Sequence, residues 1–339
     1  GRVIELLRDE ALILNSDNPF KGNIDIDKLV KTIEEVGAKN VAYIRMEAST
    51  NLIGGQPFSI RNMMDVRQVA DKYGIMLVLD ASLLGENAYL VKQREEQWKE
   101  NTMADIIKMM TGLADLVYFS ARKLTSSRGG GICTNNQKLY KQMEPLIPLF
   151  EGFLTYGGMS IREIEAMAVG IYETVDETMI SQSVDFIKYC VESAVKAGIP
   201  MVTPPGVLGA HVNAGEFCSH IPQHEYPAGA LAAAFYLCSG VRGMERGTMS
   251  SVRDENGVEI PADVELMRLA FPRRVFTLSQ TKYVVDRLAW LYENRHLIGG
   301  LKFTYEPSVL RFFMGELEPT SDWPSRIVEK FRKDFGDSL

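Results

Sequence analysis

Between Gly1 and about residue 150, short β-rich apolar runs alternate with stretches whose apolar positions recur at three and four residues. That alternation is the signature of a parallel sheet covered by helices. The runs 40–46, 75–80, 116–120 and 131–134 read as strands, and 59–73 and 103–113 as helices. From Ser160 to Ala197 helical spacing continues without a proline, which predicts one long helix or two abutting ones, of a kind that commonly bridges two domains. Beyond it, 200–213 and 268–277 read as strands flanking an Ala-rich helix over 227–237, and 282–294 as a further helix. A chain of 339 residues exceeds the roughly 250–300 residues at which single cores stop growing. The expectation is therefore an α/β domain over residues 1–175, with a parallel or mixed sheet, followed by a smaller α+β domain over 176–339.

Thirty-seven basic against 44 acidic side chains give a net charge of −7, with no Lys/Arg run able to track a phosphate backbone, so nucleic acid is not an expected partner. Cys133, Cys190, Cys218 and Cys238 form no CxxC pair, which fits a reducing, cytoplasmic setting. His220 and His224 are spaced to share a helical face, but Pro222 between them argues against a metal site. No apolar run reaches the roughly 18–20 residues of a membrane span, and the first residues do not read as a signal peptide.

Two positions draw attention for their chemistry. Asp80 ends the run Met76-Leu77-Val78-Leu79 and is expected at the carboxyl edge of the sheet, where open α/β domains bind ligands; taken locally, a turn or helix N-cap aspartate reads as well. Lys123 follows the run 116–122 and precedes Ser126-Ser127-Arg128-Gly129-Gly130-Gly131. A lysine beside small residues and two arginines can become a Schiff-base former, although a solvated surface lysine has the same local appearance. No glycine-rich phosphate loop precedes Asn40, so part of the ligand site is expected to lie outside this chain.

Several blocks in order along the chain resemble the tryptophanase and tyrosine phenol-lyase family of β-eliminating lyases. They are Asn18-Pro19-Phe20-Lys21-Gly22-Asn23-Ile24-Asp25, Thr50-Asn51-Leu52-Ile53-Gly54-Gly55-Gln56-Pro57, Glu86-Asn87-Ala88-Tyr89, Glu151-Gly152-Phe153-Leu154-Thr155-Tyr156-Gly157-Gly158, Arg268-Leu269-Ala270-Phe271-Pro272-Arg273 and Tyr305-Glu306-Pro307. The resemblance implies the aspartate-aminotransferase fold type I and pyridoxal 5'-phosphate (PLP) as cofactor. It implies that Lys123 holds the cofactor, Asp80 pairs with the pyridine nitrogen, Asn51 hydrogen-bonds the ring hydroxyl beside the substrate, and Ser120 and Arg122 contact the phosphate. It makes Arg268 the residue that forks onto the substrate carboxylate, a task for which a planar guanidinium is suited. Met244-Glu245-Arg246-Gly247 and Arg311-Phe312-Phe313 lean toward tyrosine phenol-lyase, with Arg246 near the phenol and the two phenylalanines packing a ring. Core packing for Phe312 and Phe313, and an ion pair with a neighbouring glutamate for Arg246, are the plainer alternatives.

Departures from the family pattern fall within the same blocks. Leu83 stands in the place of an arginine, Leu124 in that of an aspartate, Leu208 in that of a histidine, Ile161-Arg162 in that of a Gly-rich pair, and Arg128 in that of an asparagine that helps bind potassium. One expectation is that Arg128 supplies the charge a potassium ion supplies elsewhere. Family members also carry an N-terminal segment with the main phosphate loop, and the expectation is that a longer polypeptide or a second chain completes the site. The reaction expected is β-elimination on an aromatic amino acid by a dimer or tetramer. Aldol cleavage, β-replacement or a non-catalytic subunit of a split enzyme are the alternatives.

Overall fold

The computed structural model describes residues 1–251 and 253–336, which fall into two compact units. The first comprises Gly1–Ala11 and Asn18–Val184, the second Leu12–Asp17 and Asp185–Leu339.

In the first unit a four-stranded sheet has the order β1 (Ile44–Glu47), β2 (Leu77–Asp80), β3 (Leu116–Ser120), β4 (Gly130–Cys133). The first three strands are parallel, and β4 is antiparallel to β3. The sheet is thus mixed, because residues 121–129 between β3 and β4, a single helical turn and a loop, are too few for a crossover back to a parallel strand. Leu77, Val78 and Leu79 of β2 are all buried, as a strand covered on both faces requires.

Helices α1 (Ile26–Val36), α2 (Ile60–Tyr73), α3 (Leu84–Arg94) and α4 (Met103–Gly112) supply much of the first core, in which Leu29, Ile33, Met63, Val66, Val91 and Ile106 pack with the strand residues. Their ends are set by ordinary signals. Ser59 caps α2 by accepting from the Asn62 amide and left-handed Gly74 ends it, while Thr102 and Asp105 form a capping box on α4. The one-turn α5 (Ala121–Leu124), then α6 (Gln137–Met143), α7 (Leu146–Phe150) and α8 (Ile161–Glu173) follow.

The helical stretch after Ser160 is two helices. α8 ends at Glu173 and α9 (Glu177–Lys196) begins after Asp176, whose carboxylate accepts from the amides of Thr178 (2.9 Å) and Met179 (3.2 Å). The division between units falls inside α9. Ile180 joins the first core, whereas Ile187, Cys190, Val191 and Ala194 join the second.

In the second unit β5 (Gly209–Asn213), β6 (Met244–Arg246) and β7 (Leu266–Ala270) form an antiparallel sheet with β7 central, and β8 (Leu301–Tyr305) pairs with β9 (Glu316–Pro319). Helices α10 (Ala214–Phe217), α11 (Pro227–Ser239), α12 (Leu278–Glu293), α13 (Arg311–Met314) and α14 (Trp323–Phe335) complete it. The Ala-rich α11 starts with Pro227 and buries nine residues, as expected of a helix apolar all round. Two strands are shorter than the sequence pattern suggests. Met201 and Val202 still bond to β5, Pro204 and Pro205 end that pairing, and β7 stops before Pro272, which has no amide to donate. No helix among the described residues is long and apolar enough to cross a membrane.

Gly170 of α8 is buried against the end of α5, the turn that bears Lys123. A Cβ at Gly170 would lie 2.3 Å from the Thr125 carbonyl oxygen, and one turn on Thr174 Oγ1 donates to the Leu124 carbonyl at 2.9 Å. Gly170→Ala should therefore push α8 off α5 and cost about 1–3 kcal/mol of stability, read as a lowered midpoint in urea. An unchanged midpoint would show that the contact is slack.

Candidate active site

β1 and β2 end level at the Glu47–Asp80 pair, and β3 runs on past Tyr118 to Ser120. Ala48 N–H donates to the Asp80 carbonyl and Ala81 N–H to the Tyr118 carbonyl, each at 2.8 Å, carrying the ladder one residue past β1 and β2. Asp80 is the last residue of β2, paired with Glu47 on one side and Tyr118 on the other. Its Oδ1 accepts from the Ser82 amide at 3.0 Å and its Oδ2 from the Tyr118 hydroxyl at 2.9 Å. Asp80 is thus a strand-end carboxylate that also forms a turn; Leu83, not Asp80, occupies the N-cap of α3. Ser82 Oγ in turn accepts from the Ser120 amide at 3.1 Å, which joins the loop after β2 to the end of β3.

Lys123 and Arg122 lie on the single turn of α5 directly after Ser120, both exposed. Asn51 opens a 3-10 turn four residues beyond β1, where its amide donates to Glu47 Oε1 at 3.3 Å. The loop it belongs to is pinned by buried Asn87 of α3, whose Oδ1 accepts from the amides of Ser49 (3.1 Å) and Phe58 (3.2 Å). Lys123, Asp80, Asn51, Ser120 and Arg122 therefore all stand at one carboxyl edge of the sheet, as the sequence pattern suggested for the first two. Leu83 and Leu124 are buried, and Arg128 is exposed.

In the second unit the register pairs Arg268 of β7 with His211 of β5 and Met244 of β6, and alternation puts Arg246 on the same sheet face. Arg268 donates to Met244 Sδ at 2.7 Å. Its pKa is lowered by burial and by the neighbouring Arg246 charge. His211 is fully buried and held at about 3 by burial and the Arg268 charge, so its ring is neutral. Its Nδ1 donates to the Gly209 carbonyl at 3.0 Å, and Nε2 has no hydrogen-bond partner among the described residues. Two guanidinium groups beside a neutral imidazole make a face suited to anionic groups.

Glu245 does not pair with Arg246, contrary to the plainer reading of that arginine. It points to the opposite face, where it is hydrogen-bonded to Ser250 and close to Glu265. Phe312 is half-buried and Phe313 is 72% exposed, which excludes core packing as the role of Phe313. The rings meet edge to face with centroids 5.0 Å apart. Buried Arg311 anchors them through the Tyr226 hydroxyl (3.0 Å) and ion pairs with Glu259 and Glu306.

Sequence reading missed Arg45, Ser82, Tyr118, His211 and Glu245. Register could have found Tyr118, since Asp80 and Ser120 end adjacent strands; His211 carried no such signal.

The donor set at the sheet edge fits PLP. A carboxylate with acceptor capacity left, a lysine one turn past the neighbouring strand, and a serine and an arginine between them match the cofactor's ring nitrogen, aldehyde and phosphate. The model of the β-eliminating lyases matches residues 2–287. This chain belongs to that family. It is 42% identical over 93% of its length to a tyrosine phenol-lyase of Pasteurella multocida, and 38% identical over 94% to one of Clostridium tetani, spanning 69% and 70% of those proteins. Among solved structures it resembles N-acetylornithine aminotransferase from Stenotrophomonas maltophilia (TM-score 0.53, 15% identity, 80% of this chain and 62% of that one). It also resembles a serine palmitoyltransferase from S. paucimobilis (TM-score 0.53, 14% identity, 81% and 60%). The chain thus spans less than two thirds of these solved chains, and the likeness to them is one of fold, that of type I.

The Glu245 carboxyl is pushed up to about 7 by burial and by the Glu265 charge, against its hydrogen bond from Ser250. A carboxyl held protonated in the folded state contributes stability that is complete below its unfolded pKa of 4.5 and is lost as pH rises through about 7. Between about pH 5 and 8 the melting temperature should therefore fall more steeply in the native protein than in Glu245→Gln, and parallel curves would refute this.

Proposed function

We propose that this chain is a PLP-dependent lyase that acts on an aromatic L-amino acid by β-elimination, releasing pyruvate, ammonia and a phenol, as its relatives' name implies. The observation that carries the reading is the meeting of Asp80, Ser120 and the Lys123 turn at one strand edge. In this reading residues 1–175 bind the cofactor and 176–339 form the smaller domain. Bound PLP supplies an electron sink for the pair left at the substrate Cα. Lys123 holds the cofactor and, once displaced, takes the proton from Cα. Asp80 keeps the ring nitrogen protonated, Asn51 hydrogen-bonds the ring hydroxyl, and Ser120 and Arg122 grip the phosphate.

Arg268 orients the substrate by its carboxylate through two parallel hydrogen bonds. Arg246 steadies the departing phenolate, and Phe312 and Phe313 stack on its ring. The lowered pKa of Arg268 beside Arg246 supports this division, since an anionic ligand relieves the repulsion between the two cations. Self-association is supported by the exposed side chains Leu149, Phe150, Phe153, Ile161 and Tyr172, an apolar set that is costly to leave in water. Arg128, exposed in the loop after α5, is assigned the charge that potassium supplies in relatives.

Two measurements test the reading. Native protein mixed with PLP should show a near-visible absorbance band that Lys123→Ala abolishes, and release pyruvate from tyrosine; no band from the native protein would sink it. Replacing potassium by sodium or tetramethylammonium should leave turnover unchanged, whereas a large drop would remove Arg128 from its assigned role.

A further inference from the structure

Asp80 does not stand alone on its sheet face. Glu47 and Tyr118 are its register partners, and Arg45 lies two residues before Glu47 on the same face. The Tyr118 hydroxyl donates to Asp80 Oδ2 at 2.9 Å, and Arg45 Nη1 donates to the Tyr118 oxygen at 3.3 Å. Arg45 also pairs with Glu47 at 3.5 Å. A cation, a phenol and a carboxylate are thus linked in series across three adjacent strands, ending on the group assigned to the cofactor's ring nitrogen.

The geometry points to Tyr118, backed by Arg45, as the positioning residue that holds the Asp80 carboxylate turned toward the cofactor. The inference rests on the assignment of Asp80 in the proposed function. A hydrogen bond donated to a carboxylate favours its ionised form, and the guanidinium behind the phenol polarises its O–H toward Asp80. Burial and the Asp80 charge raise the Tyr118 pKa, so the phenol keeps the proton it donates. Two bonds fill two of the roughly four acceptor positions of a carboxylate, which leaves room for the ring nitrogen. With Ser82 on Oδ1 and Tyr118 on Oδ2, the carboxylate plane is set before the cofactor arrives. The other charged groups near this face are Glu47 on β1 and, beyond β3, Lys123; Glu86 lies on α3, which follows Asp80. Glu47 is half-buried beside Asp80, and Arg45 offsets its repulsion.

The test is the affinity of the full chain for PLP, followed by absorbance as a function of pH, in the native protein, Tyr118→Phe, Arg45→Met and the double variant. In Tyr118→Phe the affinity profile should move to higher pH, with affinity near neutrality reduced roughly threefold or more. Arg45→Met should move the profile the same way by less, and should add almost nothing to Tyr118→Phe, because Arg45 acts through the phenol. Arg45 is an exposed side chain, so its variant tests the link even if Tyr118→Phe folds poorly. A Tyr118→Phe profile that superimposes on the native one, or an Arg45→Met effect undiminished in the double variant, overturns the inference while native PLP binding leaves the proposed function standing. Native protein that binds no PLP overturns the proposed function itself.

Discussion

The arrangement at the cofactor edge depends on the parallel pairing of β1, β2 and β3 and on the two backbone hydrogen bonds that carry the ladder past the strand ends. The Ala48 amide on the Asp80 carbonyl and the Ala81 amide on the Tyr118 carbonyl fix the register of the three segments. That register puts Asp80 beside Tyr118, with Asn51 and Ser120 further along the same carboxyl edge. Leu77, Val78 and Leu79 of β2 are buried, so this strand can meet a ligand only at its end, where Asp80 lies, whereas Arg45 of β1 and the residues of β3 keep some exposure.

The second unit meets a different constraint. Its antiparallel sheet separates side chains by alternation, with Arg246 and Arg268 on one face and Glu245 on the other. Had Glu245 and Arg246 shared a face they would have neutralised each other. Instead the arginines stand together, and the Arg246 charge adds to burial in lowering the affinity of Arg268 for its proton. The buried ion cluster around Arg311 acts in a similar way on Phe312 and Phe313: Arg311, Glu259 and Glu306 fix the backbone so that two apolar rings can remain partly in solvent.

Much of the architecture was legible in the order of residues. Strands β2, β3 and β4 lie where apolar runs end in Asp80, Ser120 and Thr134, and α2 and α4 run between the caps that Ser59 and Thr102 provide. Reading failed where a proline overrode an apolar run, as at Pro204, Pro205 and Pro272, and it left open whether 160–197 is one helix or two abutting ones, since nothing in periodicity marks the break at Asp176. Among the site residues, Asp80 and Lys123 carried local signals, whereas Asn51, Arg122, Arg246 and Arg268 drew meaning only from resemblance. Nothing local predicted that His211 would be buried beside Arg268.

The sequence by itself determined family and fold type, because apolar periodicity and motif order are properties of the linear chain. Only the tertiary structure decided that Tyr118 bonds to Asp80, that Arg45 stands behind it, and that Glu245 turns away from Arg246. Those facts depend on strand register, and register is set by hydrogen bonds between segments dozens of residues apart. A shift by one residue would send every one of these side chains to the opposite face.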